Sequence, residues 1–339
     1  MTTELGSSTA SLGGKEPVAF IIPVRNPRDK KVHDYGVIEA LLRSTVSSIL
    51  KQSHSEVHVV VVGHQAPRWA DEVESRVHFI DVSHDDVFAP DQNPVKIDKG
   101  LRYVIGTLYA LHRLRPTLIM LLDADDYVNV KLAEYVLELR HRSPDVDCYM
   151  INRGVHAGVS VDSKYNVCVR FAIEVDEFDF TCGSCRIFEA ESLRAKLRQI
   201  DASIEDRFEE WGPSDATHCI PVGDERLLWF VRATSPCWDE RDHLINVLGR
   251  HTRQKAAFRV QYVDLVGAAK GCGHGNHDGP RQGAVHWHRA TRNVPLTEFL
   301  SDFGLPPQRW SAAAWARFRA RTADKQAGRL WTDKYARKQ

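Results

Sequence analysis

No apolar run in the sequence approaches the roughly 20 residues that a membrane-spanning helix requires. The opening stretch, MTTELGSSTASLGGKEP, has neither the basic segment nor the apolar segment of a secretory signal. Net charge is missing too. The 45 Lys and Arg residues are offset by 45 Asp and Glu, so bulk charge provides no attraction for nucleic acid, which is not expected as a partner. Seven cysteines, an odd number in a chain of 339 residues, fit reduced thiols better than a disulfide framework. There is one Cys-x-x-Cys, at Cys182 and Cys185, and no second to complete a zinc site; Cys272 and His274 are the only tempting partners. A thioredoxin-like strand and helix around that pair is also lacking, and no internal repeat is visible. These absences leave a soluble, cytoplasmic protein as the expectation.

What is present is a globular composition, 43% hydrophobic and 27% charged, in a chain long enough to bury a sizeable core. Residues 1–16 are rich in Ser, Thr and Gly and are expected to be a disordered tail. From there short apolar runs alternate with amphipathic stretches. VAFIIPVRN (18–26), VHVVVVGH (57–64), VHFIDVS (77–83) and TLIMLL (117–122) read as strands. The stretches 36–52, 98–114 and 130–142 read as helices, the first with Ile38, Leu41, Leu42, Thr45, Ile49 and Leu50 along one side. Strands that are apolar throughout belong to a mostly parallel sheet covered on both faces. Ligands of such sheets bind at the carboxyl ends of the strands.

After residue 145 the pattern loosens. VDCYMINRGV and YNVCVRFAIEV read as a strand pair, EAESLRAKLRQI as a helix, and DERLLWFVRAT (224–234) as a further helix. The last segment is basic and aromatic, and Trp310, Ala314, Trp315 and Phe318 share one arc of a helix. It reads either as a helix docked on its own domain or as an amphipathic element against an anionic membrane surface on the inner face. The expected organisation is a tail (1–16), a ligand-binding half (17–145), a mixed α/β half (146–300) and a C-terminal helical extension (301–339).

LIMLLDADDYVN (118–129) drives a buried strand into three carboxylates, Asp123, Asp125 and Asp126. Ionised carboxylates this close repel one another and call for a cation or strong donors. A calcium loop would use Asp123, Asp125 and Glu134, but Tyr127 and Val128 stand where an oxygen ligand and a glycine are required. A phosphatase of the haloacid dehalogenase type would use Asp123 as nucleophile, although its Asp-x-Asp normally opens the fold. A divalent cation shared with a diphosphate removes the charge problem. Such a cation also stabilises a departing nucleoside diphosphate.

The ordered set VAFIIPVRN, LLRSTVSSILKQ, VHVVVVGH, DKGLRYVIGTLYAL and LIMLLDADDYVN resembles family-2 glycosyltransferases of the GT-A fold. The likeness is strong over 18 to about 142 and looser to about 255. It implies transfer of a sugar from a UDP- or GDP-sugar to the hydroxyl of a glycan, lipid-linked or small-molecule acceptor, with inversion and with Mn2+ or Mg2+. It places Pro23, Val24 and Arg25 beside the base, Asp123 and Ala124 beside the nucleotide, Lys99 and Arg102 on the nucleotide or diphosphate, and Asp125 or Asp126 on the metal. VVGHQAP departs from the family where an acidic residue contacts the base. The base that deprotonates the acceptor falls at Asp224 or Glu225, in a reversed form of the family's Gly-Glu-Asp. The acidic start of an ordinary helix would look the same. A reversed pair also leaves room for a binding protein that has lost its base. The late His metal ligand of some GT-A enzymes falls at His251, 26 residues past Glu225 (251 − 225), with His274, His277, His286 and His288 as further candidates. A Gly-rich loop at 271–280 could close over the diphosphate. Gly183 and Ser184 are expected to line the acceptor pocket with backbone, and Cys182 and Cys185 to be packing thiols.

Overall fold

The computed structural model describes residues 16–27, 32–81, 94–200, 202–203, 205–206, 219–221, 258–272, 274 and 289–307. Strands β1 (Val18–Pro23), β2 (Val57–Gly63), β3 (Val77–Asp81) and β4 (Leu118–Leu121) are short and apolar, as expected. They run parallel in the order β3-β2-β1-β4, and Cys219–Pro221 extends the edge beyond β3. Both faces of this half are covered. Along β1, Val18, Phe20 and Ile22 pack with Ile38, Leu42, Val46 and Ile49 of helix α1 (Tyr35–Leu50) and with Leu132 and Val136 of helix α3 (Leu132–Arg142). The alternate residues Ala19 and Ile21 face Tyr103, Val104 and Leu108 of α2 (Pro94–Tyr109) and Leu193 and Leu197 of α5 (Ala190–Ile200). This two-sided burial is why the strands carry no polar alternation.

Boundaries differ from the sequence reading for local reasons. The strand expected to reach Asn26 stops at Pro23, beyond which Val24 N–H still reaches Val62 O, at 2.8 Å. Helix α1 starts one residue early because the Asp34 carboxylate accepts from Gly36 N–H at 2.9 Å. Helix α2 starts four residues before the expected Asp98 and ends in a π turn over Ala110–Leu114, closed by Arg115 in the left-handed region. Gly106 lets α2 lie close on the sheet, since a Cβ there would stand 2.4 Å from Ile21 Cγ2.

The second half is a mixed sheet continuous with the first. The expected pair forms as β6 (Cys148–Val161) and β7 (Val167–Val175), which are antiparallel. Three elements carried no periodic signal. They are the two-residue strand β5 (Tyr127–Val128), helix α4 (Phe178–Thr181), and strand β8 (Arg186–Glu189), which sits antiparallel between β4 and β6. Strand β9 (Val260–Cys272) runs parallel to β6 and antiparallel to β5. Strand β10 (Ala290–Val294) borders β7 and leads into α6 (Leu296–Asp302). The parallel and mixed halves of the chain therefore share one sheet. The architecture is the α/β class the sequence implied, parallel at one edge and mixed at the other. Residues 1–15 and 308–339, most of the tail and of the proposed C-terminal extension, lie outside the described residues. No described helix is long and apolar enough to cross a membrane.

Asp147 sets the register of the β6/β9 pair. Its carboxylate accepts from Arg259 N–H at 2.9 Å, Arg259 Nε and Nη2 at 3.0 Å, and the Ser192 hydroxyl at 2.8 Å. The Arg259 guanidinium bonds, only partly opposed by burial, hold the Asp147 carboxyl down at about 2. A carboxyl depressed on folding adds stability that is complete above its unfolded pKa and lost as pH falls through the folded one. Arg259 is exposed, so screening limits the contribution to about 1–2 kcal/mol. Acid unfolding followed by circular dichroism should show this as a fall in stability between about pH 4 and pH 2 that Asp147→Asn removes.

Candidate donor site at the carboxyl edge of the parallel strands

The chain leaves β4 through Leu122, whose N–H still donates to Ile21 O at 3.0 Å, and turns over Asp123–Asp126 with Asp126 N–H donating to Asp123 O at 3.2 Å. One carboxylate oxygen from each of Asp123, Asp125 and Asp126 falls within 4.8 Å of the others. The three are held in different ways, and their chemistry differs accordingly.

Asp123 is partly exposed and faces α2. Its Oδ1 accepts from Tyr103 Oη at 2.9 Å and pairs with Lys99 Nζ at 2.5 Å. Burial would raise this carboxyl, but the Lys99 charge and the two donors outweigh it and hold Asp123 below its ordinary value. Burial likewise opposes the Lys99 charge, and the carboxylates, Asp123 foremost, hold the ammonium above its ordinary value. Lys99 and Tyr103 reach the same oxygen because residues four apart share a helix face. That spacing could have identified Tyr103, which the sequence reading passed over. Arg102, paired with Lys99 in that reading, is 1% exposed. Its charge is felt by Tyr35, whose hydroxyl is pushed up to about 12 by burial first and Glu39 second.

Asp126 is 2% exposed, and both its oxygens are occupied by internal donors. Oδ1 accepts from Gly271 N–H at 3.0 Å; Oδ2 accepts from Ser184 Oγ at 2.6 Å and Cys182 Sγ at 3.1 Å. Burial, then the charges of Asp125 and Asp123, push its carboxyl up to about 8 in spite of these bonds. A carboxylate committed in this way is a structural clasp. It leaves Asp125 the better placed of the two candidate metal ligands. Asp125 is partly exposed, and its Oδ2 lies 2.8 Å from Nε2 of the buried His274. Gly271 is required here, because a Cβ would stand 2.2 Å from Asp125 O.

The 181–186 segment takes a different part from the one its sequence suggested. Ser184 is fully buried and acts through its hydroxyl rather than as pocket backbone, accepting from Asp123 N–H at 2.8 Å while donating to Asp126. Arg186 donates to Gly183 O at 3.0 Å and Lys270 to Thr181 O at 2.9 Å, so the loop is tied down from both sides. Cys182 is a donor to Asp126, while Cys185 is the buried packing thiol expected. Among the described residues no Cys/His cluster suited to zinc occurs; the acidic triad is the one group of metal-ligating type.

Of the residues expected beside a base, Pro23 and Val24 are buried at the end of β1 and Arg25 is half-buried next to them. Ala124 offers its carbonyl to Thr45 Oγ1 at 3.0 Å. His64 is buried just past the end of β2. Asp224, Glu225, His251, His277, His286 and His288 lie outside the described residues. Of the late histidines, His274 is the one that the described structure brings to the acidic turn.

No protein-family model matches the chain, and no curated protein matches it. Among solved structures, S. aureus TarS 1–349 aligns at 11% identity over 75% of this chain and 60% of that one, with a TM-score of 0.40. The same protein in complex with UDP-GlcNAc aligns at 12% identity over 80% and 61%, with a TM-score of 0.39. A 4-diphosphocytidyl-2C-methyl-D-erythritol synthase from Anaerococcus prevotii aligns at 13% identity over 65% and 98%, with a TM-score of 0.29. The chain spans about 60% of the length of the TarS 1–349 structures it matches. Likenesses this loose say nothing about activity.

The double role of Ser184 has a measurable consequence. Ser184→Ala leaves Asp123 N–H without its partner and Asp126 Oδ2 with the Cys182 thiol alone, a loss of roughly 1–3 kcal/mol in a buried site. Chemical denaturation should report it as a lower midpoint with an unchanged slope.

Proposed function

We propose that the chain is a glycosyltransferase that moves a sugar from a nucleotide-diphosphate sugar to an acceptor hydroxyl, with the help of a divalent cation. The observation that carries this reading is the pairing of Asp125 with His274 beside Asp123, at the edge of the parallel sheet where ligands of such folds bind. The donor set fits the cation. The two partly exposed carboxylates are the hard oxygen donors that suit Mn2+ or Mg2+, the imidazole favours Mn2+ of the two, and Asp126 is already saturated by the protein. Asp125 and His274, with Asp123, would hold the ion. Bound there, it would supply Lewis-acid stabilisation to the departing nucleoside diphosphate.

The chain's own groups account for the rest. Lys99 provides positive charge for the diphosphate, and Tyr103 and Ser184 fix Asp123 from its side chain and its backbone. Pro23, Val24 and Arg25 form the wall against which a base would rest. The acceptor hydroxyl is deprotonated by Asp224 or Glu225 as it attacks the anomeric carbon from the opposite side, giving inversion. A lipid-linked acceptor would suit the basic and aromatic composition of residues 310–339.

Thermal stabilisation by UDP- and GDP-sugars with and without Mn2+, run beside hydrolysis of an aryl phosphate, tests the reading. Sugar nucleotides should stabilise the protein in a Mn2+-dependent way, and the aryl phosphate should not turn over. Asp125→Asn and His274→Ala should each weaken Mn2+-dependent nucleotide binding by about 10-fold or more. One of Asp224→Asn and Glu225→Gln should cut transfer by about 10²–10⁴-fold while leaving donor binding intact. Turnover of the aryl phosphate without nucleotide binding would replace the proposal with a phosphatase. Retained turnover in both base variants would overturn the assignment of the base.

A further inference from the structure

Lys99 does more in this geometry than wait for a phosphate. Its ammonium lies 2.5 Å from Asp123 Oδ1 and 5.7 Å from the centre of the Tyr103 ring. It therefore neutralises one of the carboxylates that the proposed cation would use. The other basic groups around the turn are committed elsewhere, Arg186 to Gly183 O and Lys270 to Thr181 O. Arg102 is 1% exposed, while the Lys99 side chain keeps 40% of its surface on a flexible four-carbon stem. Among the described side chains of α2, Lys99 is thus a cation placed to let go of Asp123 and follow an incoming anion.

We infer that Lys99 is an exchangeable counter-ion that couples the binding of the divalent cation to that of the nucleoside diphosphate; the inference rests on the glycosyltransferase reading above. A divalent cation arriving alone must compete with Lys99 for Asp123 and displaces its ammonium from that carboxylate. A diphosphate arriving alone meets three carboxylates across which Lys99 is already spent. When both arrive, the diphosphate takes Lys99 and the cation takes Asp123, so every charge retains a partner. By linkage, the factor by which each ligand tightens the other is the same.

Calorimetric titration of Mn2+ and UDP into the full chain, each alone and each with the other saturating, measures that factor after correction for Mn2+–UDP association in buffer. In the unmodified protein it should be at least about 10-fold, within the usual range for coupled sites. Lys99→Met should tighten Mn2+ binding in the absence of UDP, weaken UDP binding in the absence of Mn2+, and bring the factor close to unity. Lys99→Arg, which keeps the charge, should retain most of the coupling and serves as the check that the helix is intact. Unchanged or weaker Mn2+ binding by Lys99→Met without UDP, or coupling equal to that of the unmodified protein, would overturn the inference and leave the glycosyltransferase reading standing. If the unmodified protein binds neither Mn2+ nor UDP in any combination, both fall.

Discussion

A carboxylate removed from water costs several kcal/mol unless donors surround it, and Asp126 has drawn its donors from two distant segments. Gly271 supplies a backbone N–H from the end of β9, and Ser184 and Cys182 supply side chains from the loop before β8. The acidic turn thereby ties the carboxyl edge of the parallel half to the mixed half, in addition to the β4–β8 pairing. Asp123 and Asp125 flank this anchor and inherit their positions from it. The anchor faces inward, the flanking carboxylates remain partly exposed, and the division of labour among three adjacent acids follows from where their donors come from.

The clasp also explains why the loops around it are so constrained. Ser184 can serve both Asp123 and Asp126 only if the 182–185 segment is held still, which Arg186 and Lys270 achieve through backbone carbonyls. Gly271 can donate to Asp126 only where its Cα passes close to the Asp125 carbonyl, an approach that leaves no room for a side chain. At the far end of the same strand pairing, Asp147 and Arg259 fix the register of β6 and β9, and His274 reaches the turn two residues past the end of β9.

Where the physics was local, the sequence was readable. The parallel strands announced themselves by unbroken apolar runs, α1 by its spacing, and the acidic turn by charge set directly after a buried strand. Lys99 was named by the family resemblance and not by any periodicity of its own. The partners that give each acid its role were not readable, because Ser184 lies 58 residues from Asp126 and Gly271 lies 145. Short elements such as β5 and β8 have too few residues to establish a period and are made by their neighbours. The choice of His274 over the other late histidines was closed to sequence reasoning for a similar reason. Several of them sit beside glycines or aromatics in comparable settings, and only the path of β9 tells them apart.

The distance between the acidic turn and its donors also sets a schedule. During synthesis strands β1–β4 and helices α1–α3 can assemble once residue 142 has emerged, since much of their packing is with one another. The turn at their carboxyl edge must wait for another 129 residues (271 − 142) before Gly271 and then His274 can reach it. Contacts of such separation form late, because the chain between them must first be closed into a loop. A ribosome-bound chain or a prematurely ended fragment would thus carry the charges of the site without its arrangement. Only a chain translated past residue 274 would be able to present them as they stand here.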